Sequence, residues 1–251
     1  ERVGLDIKGL MSSNIVAGKR LLELAETYGQ DNFKWMQDDI LDLSEASMRR
    51  RISELADGVY TAADWIENNG HKDGLWKVHC ELRVEGDEMT FDYNKTDPQT
   101  DGFINCGPSG LSGGILVNVL QMLGYDIPFN DGFIRPIHFV ADKGKLVNAA
   151  KPAPIGAGHM NATFKVQEAC MSAINKMLAA SDPPWRDRAM GIWGDNWALH
   201  LCYGTNREGQ FDIYINMDGG GCGGAAFSIR DGIPAAGCPQ QCGMDLPDVE
   251  F

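Results

Sequence analysis

The chain has 251 residues, of which 43% are hydrophobic and 23% are charged, and its formal net charge is −13. These proportions are typical of a globular protein and give no sign of a disordered, collagen-like or coiled-coil chain. The acidic excess repels a phosphate backbone, so we expect no nucleic-acid partner. The most apolar stretch, Ile115 to Leu123, is far shorter than the roughly 20 residues needed to cross a bilayer, so we expect no membrane association.

The cysteines indicate a reducing environment. There are seven, and Cys80, Cys170 and Cys202 lie inside apolar runs, which is typical of buried thiols in a cytoplasmic protein. Cys238 and Cys242 form a CxxxC pair, which is half of a zinc site at most because no second pair follows. We therefore expect a cytoplasmic chain with reduced cysteines.

Both ends of the chain are unusual. Glu1 stands where an initiator Met is expected, and residues 246–251 resemble the entrance to a strand. We interpret the whole chain as an internal part of one larger subunit.

Residues 1–58 carry helical periodicity, and we predict a helical segment there. One helix is expected over 10–27, closed by C-cap chemistry at Gly29. A second helix is expected over 32–55, and a break in it at 44–47 is left open.

Beyond residue 58 the apolar residues recur at every second position, as in strands. We predict a mixed α/β core over 59–251. Alternating apolar residues predict an antiparallel meander of three strands, at 59–66, 76–84 and 88–93. The later segments are predicted, in chain order, to be helix 111–123, strands 137–141 and 146–147, helix 161–179, and strands 198–204 and 211–217. This order predicts the mixed α+β class, with glycine-rich loops, rather than a doubly wound parallel sheet.

Metal ligands are not evident in this chain. Five histidines are present, and none stands in an HxH, HxxxH or HExxH motif, so we predict no metal ligand. His159 differs from the others because it follows a glycine loop at the predicted start of a helix, where functional residues often lie. A purely structural role for His159 stays open.

Two glycine clusters allow close approach of a ligand or of another chain. Gly107–Gly114 precede a predicted helix, whose N–H groups attract anions, but the Lys and Ser/Thr of a P-loop are absent. Gly219–Gly224 suit ligand contact and subunit packing equally well. No GxSxG elbow is present. Asp92 and Asp97 could act as bases or as turn formers.

Polar residues concentrate in loops that suit recognition of an amide or carboxylate, or pinning of the loops themselves. In order along the chain, these loops resemble the hydantoinase B/oxoprolinase family. The family's stretches DFxGTxPQ, GxxN, IPxNxGxxRPI, Gly…Asn…Pro-Ala and GGGxGA…DG correspond to 92–99, 102–105, 127–137, 144–153 and 219–232. Asn94 and Lys95 depart from the family, which has small residues at these two positions.

The resemblance implies an enzyme that works in a hetero-oligomer with a hydantoinase A-type subunit, on which ATP binds. Family members open hydantoins or oxoproline, or carboxylate ketones such as acetone. The family's metal ligands lie in motifs without a counterpart here, so a divalent metal, Mn or Zn, is expected on residues outside this chain.

Three functional hypotheses follow from the resemblance. Residues 104–111 resemble the ketone carboxylase branch, so part of an ATP-dependent ketone carboxylase is the first hypothesis. The second is an ATP-dependent hydantoin or lactam hydrolase, and the third is a non-catalytic scaffold. In the carboxylase, positive charge and backbone donors would stabilise developing oxyanions in a water-poor cavity. Our candidates for lining it are Arg135, His159 and Asn105, all of which could instead pin loops.

Overall fold

The computed structural model describes residues 2–191, 200–205, 207–216 and 225–232. Within these ranges the chain forms helices, a four-stranded mixed sheet and a two-stranded sheet, which confirms the predicted mixed α/β class. The chain divides into two compact units. The first comprises Glu1–Met48 with Ile127–Arg135, and the second comprises Arg49–Asp126 with Pro136–Phe251.

Two long helices dominate the beginning of the chain. Helix α1 spans Arg2–Tyr28 and helix α2 spans Gln30–Ser53, so α1 starts earlier than predicted. Gly29 separates them with a φ of +78°, a conformation that favours glycine.

Helix α2 continues without a break through 44–47. Ser44 is fully buried, and its hydroxyl accepts a hydrogen bond of 2.9 Å from Asn130 Nδ2. The polar residue that suggested a break therefore makes an interior contact. Asn130 also caps the short helix α4, Asp131–Ile134, because its Oδ1 accepts a hydrogen bond from the Phe133 N–H at 3.2 Å.

The second unit is built on the four-stranded sheet, ordered β1-β2-β3-β4. Strands β1, β2 and β3 are antiparallel neighbours, which confirms the predicted meander, while β4 runs parallel to β3. The strands span Gly58–Asn68, Asp73–Glu85, Glu88–Asp92 and Ile137–Val140. Alternate residues of β2 are buried from Val78 to Val84, as period-two patterning requires.

Helices α3, Pro108–Met122, and α5, Ala162–Ala180, complete the core of the second unit. Helix α5 packs on β1 and β2 and also against α3. A Cβ on Gly110 would lie 2.7 Å from Thr163 Oγ1, and one on Gly114 would lie 2.9 Å from Val166 Cγ1. These two glycines of the first cluster therefore allow α3 and α5 to approach closely.

The remaining described segments are short. A 3₁₀ turn at Arg186–Arg188 follows α5, and β5, His200–Thr205, pairs antiparallel with β6, Phe211–Asn216, as predicted. The predicted strand at 146–147 is wrong, since isolated bridges of Lys145 flank a turn there. Leu146 and Val147 are fully buried, so their apolar character reflects burial without strand pairing.

Three described cysteines, Cys80, Cys106 and Cys170, are buried free thiols. Burial raises the pKa of Cys80 to about 12 and the pKa of Cys106 to about 11. These thiols are therefore poor nucleophiles at neutral pH. None of the described helices is both long and apolar enough to cross a membrane.

Arg51 joins the end of α2 to two aromatic rings. Its guanidinium lies 5.9 Å from the Tyr125 ring centre and 5.3 Å from that of Trp185, and Nη2 lies 3.0 Å from both carboxylate oxygens of Asp126. Replacing Arg51 with Ala removes both the stacking and the paired hydrogen bonds. We expect a loss of about 2 kcal/mol of stability, which in a chain of this size corresponds to a fall in Tm of about 4–8 °C.

Differential scanning calorimetry measures this fall, with Arg50→Ala as the matched control because Arg50 is exposed on the same helix. Equal Tm values for the two variants would contradict the structural role of Arg51.

Candidate functional site

A groove of about 770 Å³ runs between the second half of β1 and the first turn of α5 in the second unit. Its volume is within the range of small-molecule sites, which combine apolar walls with a few polar groups. The apolar lining includes Ile66, Leu75, Met160 and Phe164, and Asp64 and Lys165 supply charged groups.

Behind these charged residues lies a third, Glu168. Lys165 Nζ lies 2.6 Å from Glu168 Oε2 and 3.3 Å from Asp64 Oδ2, so two carboxyl groups share one ammonium group. Glu168 is only 7% exposed. If both carboxyl groups were ionised beside one ammonium group, the buried cluster would carry an excess negative charge, which costs free energy. One carboxyl group avoids this cost by keeping a proton.

The two carboxyl groups therefore differ in acidity. Burial, and then a hydrogen bond with Asp64, raise the pKa of Glu168 to about 8. Burial alone would also raise the pKa of Asp64, but hydrogen bonds from Glu168 and the Trp65 N–H, together with the charge of Lys165, hold it below its ordinary value. At neutral pH a protonated carboxyl group thus lies beside an ionised one, which is the arrangement of an acid and base pair. The same contacts tie α5 to β1.

Asn105 holds together the loops at one end of α5. Its side chain is fully buried, and its Oδ1 accepts a hydrogen bond of 2.7 Å from the Thr100 N–H. Its Nδ2 lies 3.0 Å from the Thr100 carbonyl oxygen and 2.8 Å from those of Gly102 and Pro154. All of these partners are backbone groups of this chain, so Asn105 positions backbone segments.

His159 lies on a loop that packs directly on Asn105. A Cβ on Gly158 would lie 2.1 Å from the Asn105 carbonyl oxygen, so only glycine fits there. His159 itself is exposed, and the next two residues, Met160 and Asn161, line the groove. The structure therefore brings the segments of these two predicted site residues together at one end of the groove.

Arg135, the third predicted site residue, belongs to the first unit. Its Nη1 lies 2.8 Å from Glu45 Oε2 and 2.9 Å from Asp42 Oδ1. Hydrogen bonds with Glu45 and Asp42 raise the pKa of Arg135. Two carboxylates of its own unit thus already balance the charge of this guanidinium group.

The described ranges show no metal-binding geometry. In them, no group of three or more His, Cys, Asp or Glu side chains is arranged to hold a metal ion. The described residues therefore supply no donor set for Mn or Zn, and we assign no chemical step to a metal here. The second glycine cluster and the CxxxC pair lie outside the described residues.

Sequence reasoning did not identify Asp64, Lys165 and Glu168. One signal was available, since Glu168 lies four residues after Phe164 on the apolar face of the predicted helix 161–179, where a carboxylate is unusual. The partner on β1 could not be found in this way, because the contact depends on how the helix crosses the sheet.

Comparison with known proteins identifies the family. The family profile of hydantoinase B/oxoprolinase matches residues 1–251, and the chain belongs to this family. This finding confirms the resemblance drawn from the loop motifs.

Two relatives illustrate the family. The chain is 25% identical over 235 residues to the caprolactamase subunit beta of Pseudomonas jessenii, covering 92% of this chain and 39% of that protein. It is 22% identical over 223 residues to the 5-oxoprolinase of Saccharomyces cerevisiae, covering 88% of this chain and 17% of that protein. The chain therefore spans about two fifths or less of the length of these relatives.

Two solved structures share the fold. The crystal structure of the ATP-dependent caprolactamase from Pseudomonas jessenii matches 90% of this chain and 38% of its own, with a TM-score of 0.71 and 25% identity. The nucleotide-free acetone carboxylase structure matches 92% of this chain and 32% of its own, with a TM-score of 0.78 and 14% identity. At that identity, the likeness to acetone carboxylase establishes the fold alone.

Proposed function

We propose that this chain is part of the catalytic subunit of an ATP-dependent enzyme that opens a cyclic amide, either a lactam or a hydantoin. The observation that carries the proposal is the caprolactamase match, which combines 25% identity over 92% of the chain with the same fold. The proposal reverses the order of the first two hypotheses drawn from the sequence.

The groove suits such a reaction chemically. Its apolar walls fit a hydrocarbon ring, and opening an amide ring requires a proton for the leaving nitrogen. The proton held between Glu168 and Asp64 lies next to this groove and is retained at neutral pH. The pair could therefore serve as a proton reservoir beside the bound ring.

The three predicted site residues take different roles in the proposal. His159 is exposed and directly precedes Met160 and Asn161, which line the groove, and we propose that it contacts substrate. Asn105 is a positioning residue, because its side chain binds the backbone beneath that loop. We keep Arg135 as a proposed site residue. Glu45 and Asp42 already balance its charge, so we expect it to orient a bound group by hydrogen bonding and not to neutralise an anion.

The partners in the proposal are those of the family resemblance. ATP binds to a hydantoinase A-type subunit, and the two subunits form a hetero-oligomer in the cytoplasm. The relative named as subunit beta supports an assembly of more than one kind of chain. The divalent metal is held by residues outside this chain.

Ketone carboxylation is the second candidate. The observation that favours it is that residues 104–111 resemble that branch. The likeness to the acetone carboxylase structure, at 14% identity, concerns the fold alone. In that reaction the groove would hold a small ketone, and formation of the carboxylated product would require bicarbonate.

Product analysis of the native complex separates these candidates. The complex is incubated with ATP and either caprolactam, hydantoin or 5-oxoproline, and separately with ATP, bicarbonate and acetone or acetophenone. We expect ring opening that is independent of bicarbonate. A carboxylated ketone as the only product would overturn the proposal in favour of the second candidate.

Replacing His159 with Ala tests whether the chain contributes directly to the site. We expect kcat/KM of the complex to fall at least about tenfold, because His159 directly precedes the groove-lining residues Met160 and Asn161 and is proposed to contact substrate. His71→Ala is the matched control, since His71 is also an exposed loop histidine. Equal activities of both variants and the wild type would favour the scaffold hypothesis.

A further inference from the structure

Helix α1 carries an apolar stripe that the described residues of its own unit leave uncovered. Val3 and Leu10 are 70% and 68% exposed. Exposed side chains of this size rarely form a continuous row on a protein surface that faces only water. The other large apolar side chains exposed on α1 are Leu5, Ile7, Met11, Ile15, Val16, Leu21, Leu22, Leu24 and Tyr28.

The spacing of these residues places most of them on one face. Val3, Ile7, Leu10, Ala17, Leu21, Leu24 and Tyr28 are three, four or seven residues apart, which is the spacing of one helical face. Met11, Leu22 and Ala25 widen this stripe along one side. Gly4 and Gly18 also lie in it, and a Cβ added to either would meet no atom of the described residues within 4 Å, so another backbone could approach there closely.

The opposite face of α1 carries mainly charged and polar side chains. Lys19 and Arg20 both pair with Glu23, at 3.9 and 2.8 Å, and all three side chains are exposed. Lys8 and Ser12 are exposed on this face as well. Leu5, Ile15 and Val16 are exposed outside the stripe, at 63%, 71% and 59%. The stripe is nevertheless the longest continuous apolar face of α1.

The width of the stripe indicates what kind of surface covers it. Two helices that pair in a coiled coil contact each other through a narrow apolar seam, whereas a helix that packs onto a globular body presents a broader apolar face. In the caprolactamase subunit beta, the part that matches this chain is only 39% of the protein. Most of the length of such a subunit therefore lies outside the part that corresponds to these 251 residues.

We propose that the apolar stripe of α1 is a docking surface for the part of a hydantoinase B-type polypeptide that lies outside these 251 residues. The inference rests on family membership and on the exposure of α1, and it is independent of the reaction catalysed. The occupant presents an apolar surface to the stripe.

Cross-linking mass spectrometry on the native complex tests the proposal. Lys8 and Lys19 lie on the polar face of α1 and are accessible to an amine-reactive cross-linker. They are within a helix diameter, about 10–12 Å, of the stripe. We expect their cross-links to lead mainly to hydantoinase B-type sequence outside residues 1–251. Cross-links mainly to a hydantoinase A-type subunit, or between the α1 helices of two copies, would overturn it.

Paired variants make the test independent of the cross-linker. Leu10→Asp with Leu21→Asp places two charges in the stripe, and Ser12→Asp with Thr27→Asp places the same charge on the polar face. We expect the first pair to lower incorporation of the chain into the complex at least about tenfold, with unchanged circular dichroism, and the second pair to assemble normally. Equal incorporation of both pairs would overturn the proposal.

Discussion

Replacing Asn105 with Ala is expected to destabilise the second unit by roughly 3 kcal/mol or more. The side chain is fully buried and its polar atoms contact four backbone groups, at 2.7 to 3.0 Å. Ala leaves the Thr100 N–H and the carbonyl oxygens of Gly102 and Pro154 without these partners, and a buried polar group that loses its partner costs more than a hydrogen bond contributes. Denaturant unfolding of the 251-residue chain measures the change.

Asn161→Ala is the matched control, because Asn161 makes one side-chain hydrogen bond, of 3.0 Å to the Ala157 carbonyl oxygen, and is only partly buried. We expect this control to lose much less stability. Gly158→Ala probes the same junction from the other side and is expected to resemble Asn105→Ala, since its Cβ would lie 2.1 Å from the Asn105 carbonyl oxygen. Equal stabilities of Asn105→Ala and Asn161→Ala would contradict the pinning role.

The consequence for function follows from the position of the junction. Asn105 binds the Pro154 carbonyl oxygen, and the loop then continues through Gly158 to His159. Loosening this anchor frees the end of the groove without removing any group that contacts substrate. A positioning role therefore predicts a larger change in kcat than in KM, and partial rescue at low temperature.

Local patterns predicted most of the second unit. The meander, α3, α5 and the β5–β6 hairpin follow from apolar periodicity and from turn residues such as Gly86, whose φ is +64°. These signals suffice because each depends on residues close together in the sequence. The strand predicted at 146–147 failed because two adjacent buried residues carry no period.

The candidate site, in contrast, could be predicted only in part from local sequence patterns. Asn105 and His159 were proposed as site residues because they lie in loops with distinctive polar and glycine residues. Asp64 and Glu168 are far apart in the sequence, and they meet only because α5 lies across β1. Their altered acidity arises from burial and from sharing Lys165, and neither property is visible in the identity of a single residue.

Replacing Glu168 with Gln is expected to remove a pH dependence of stability between about pH 4.5 and 8. The pKa of Glu168 rises from 4.5 to about 8 in the folded chain, so the fold binds a proton that the unfolded chain releases in this range. The resulting stabilisation is complete below the unfolded pKa and is lost as pH rises through the folded one. The slope approaches at most roughly 1.4 kcal/mol per pH unit, the value for one proton.

Asp64 contributes in the opposite direction, because its pKa is lowered and its stabilisation is lost only as the pH falls below its ordinary range. Above about pH 5, the change in slope therefore reports on Glu168. Denaturant unfolding from about pH 5 to 9 compares wild type with Glu168→Gln, whose amide keeps the size of the side chain and can still donate to Asp64. Glu67→Gln, on the exposed side of the same strand β1, is the control and should keep the wild-type slope. If Glu168→Gln retains that slope too, the proton is not held between Glu168 and Asp64, and the groove loses the acid group on which its proposed chemistry depends.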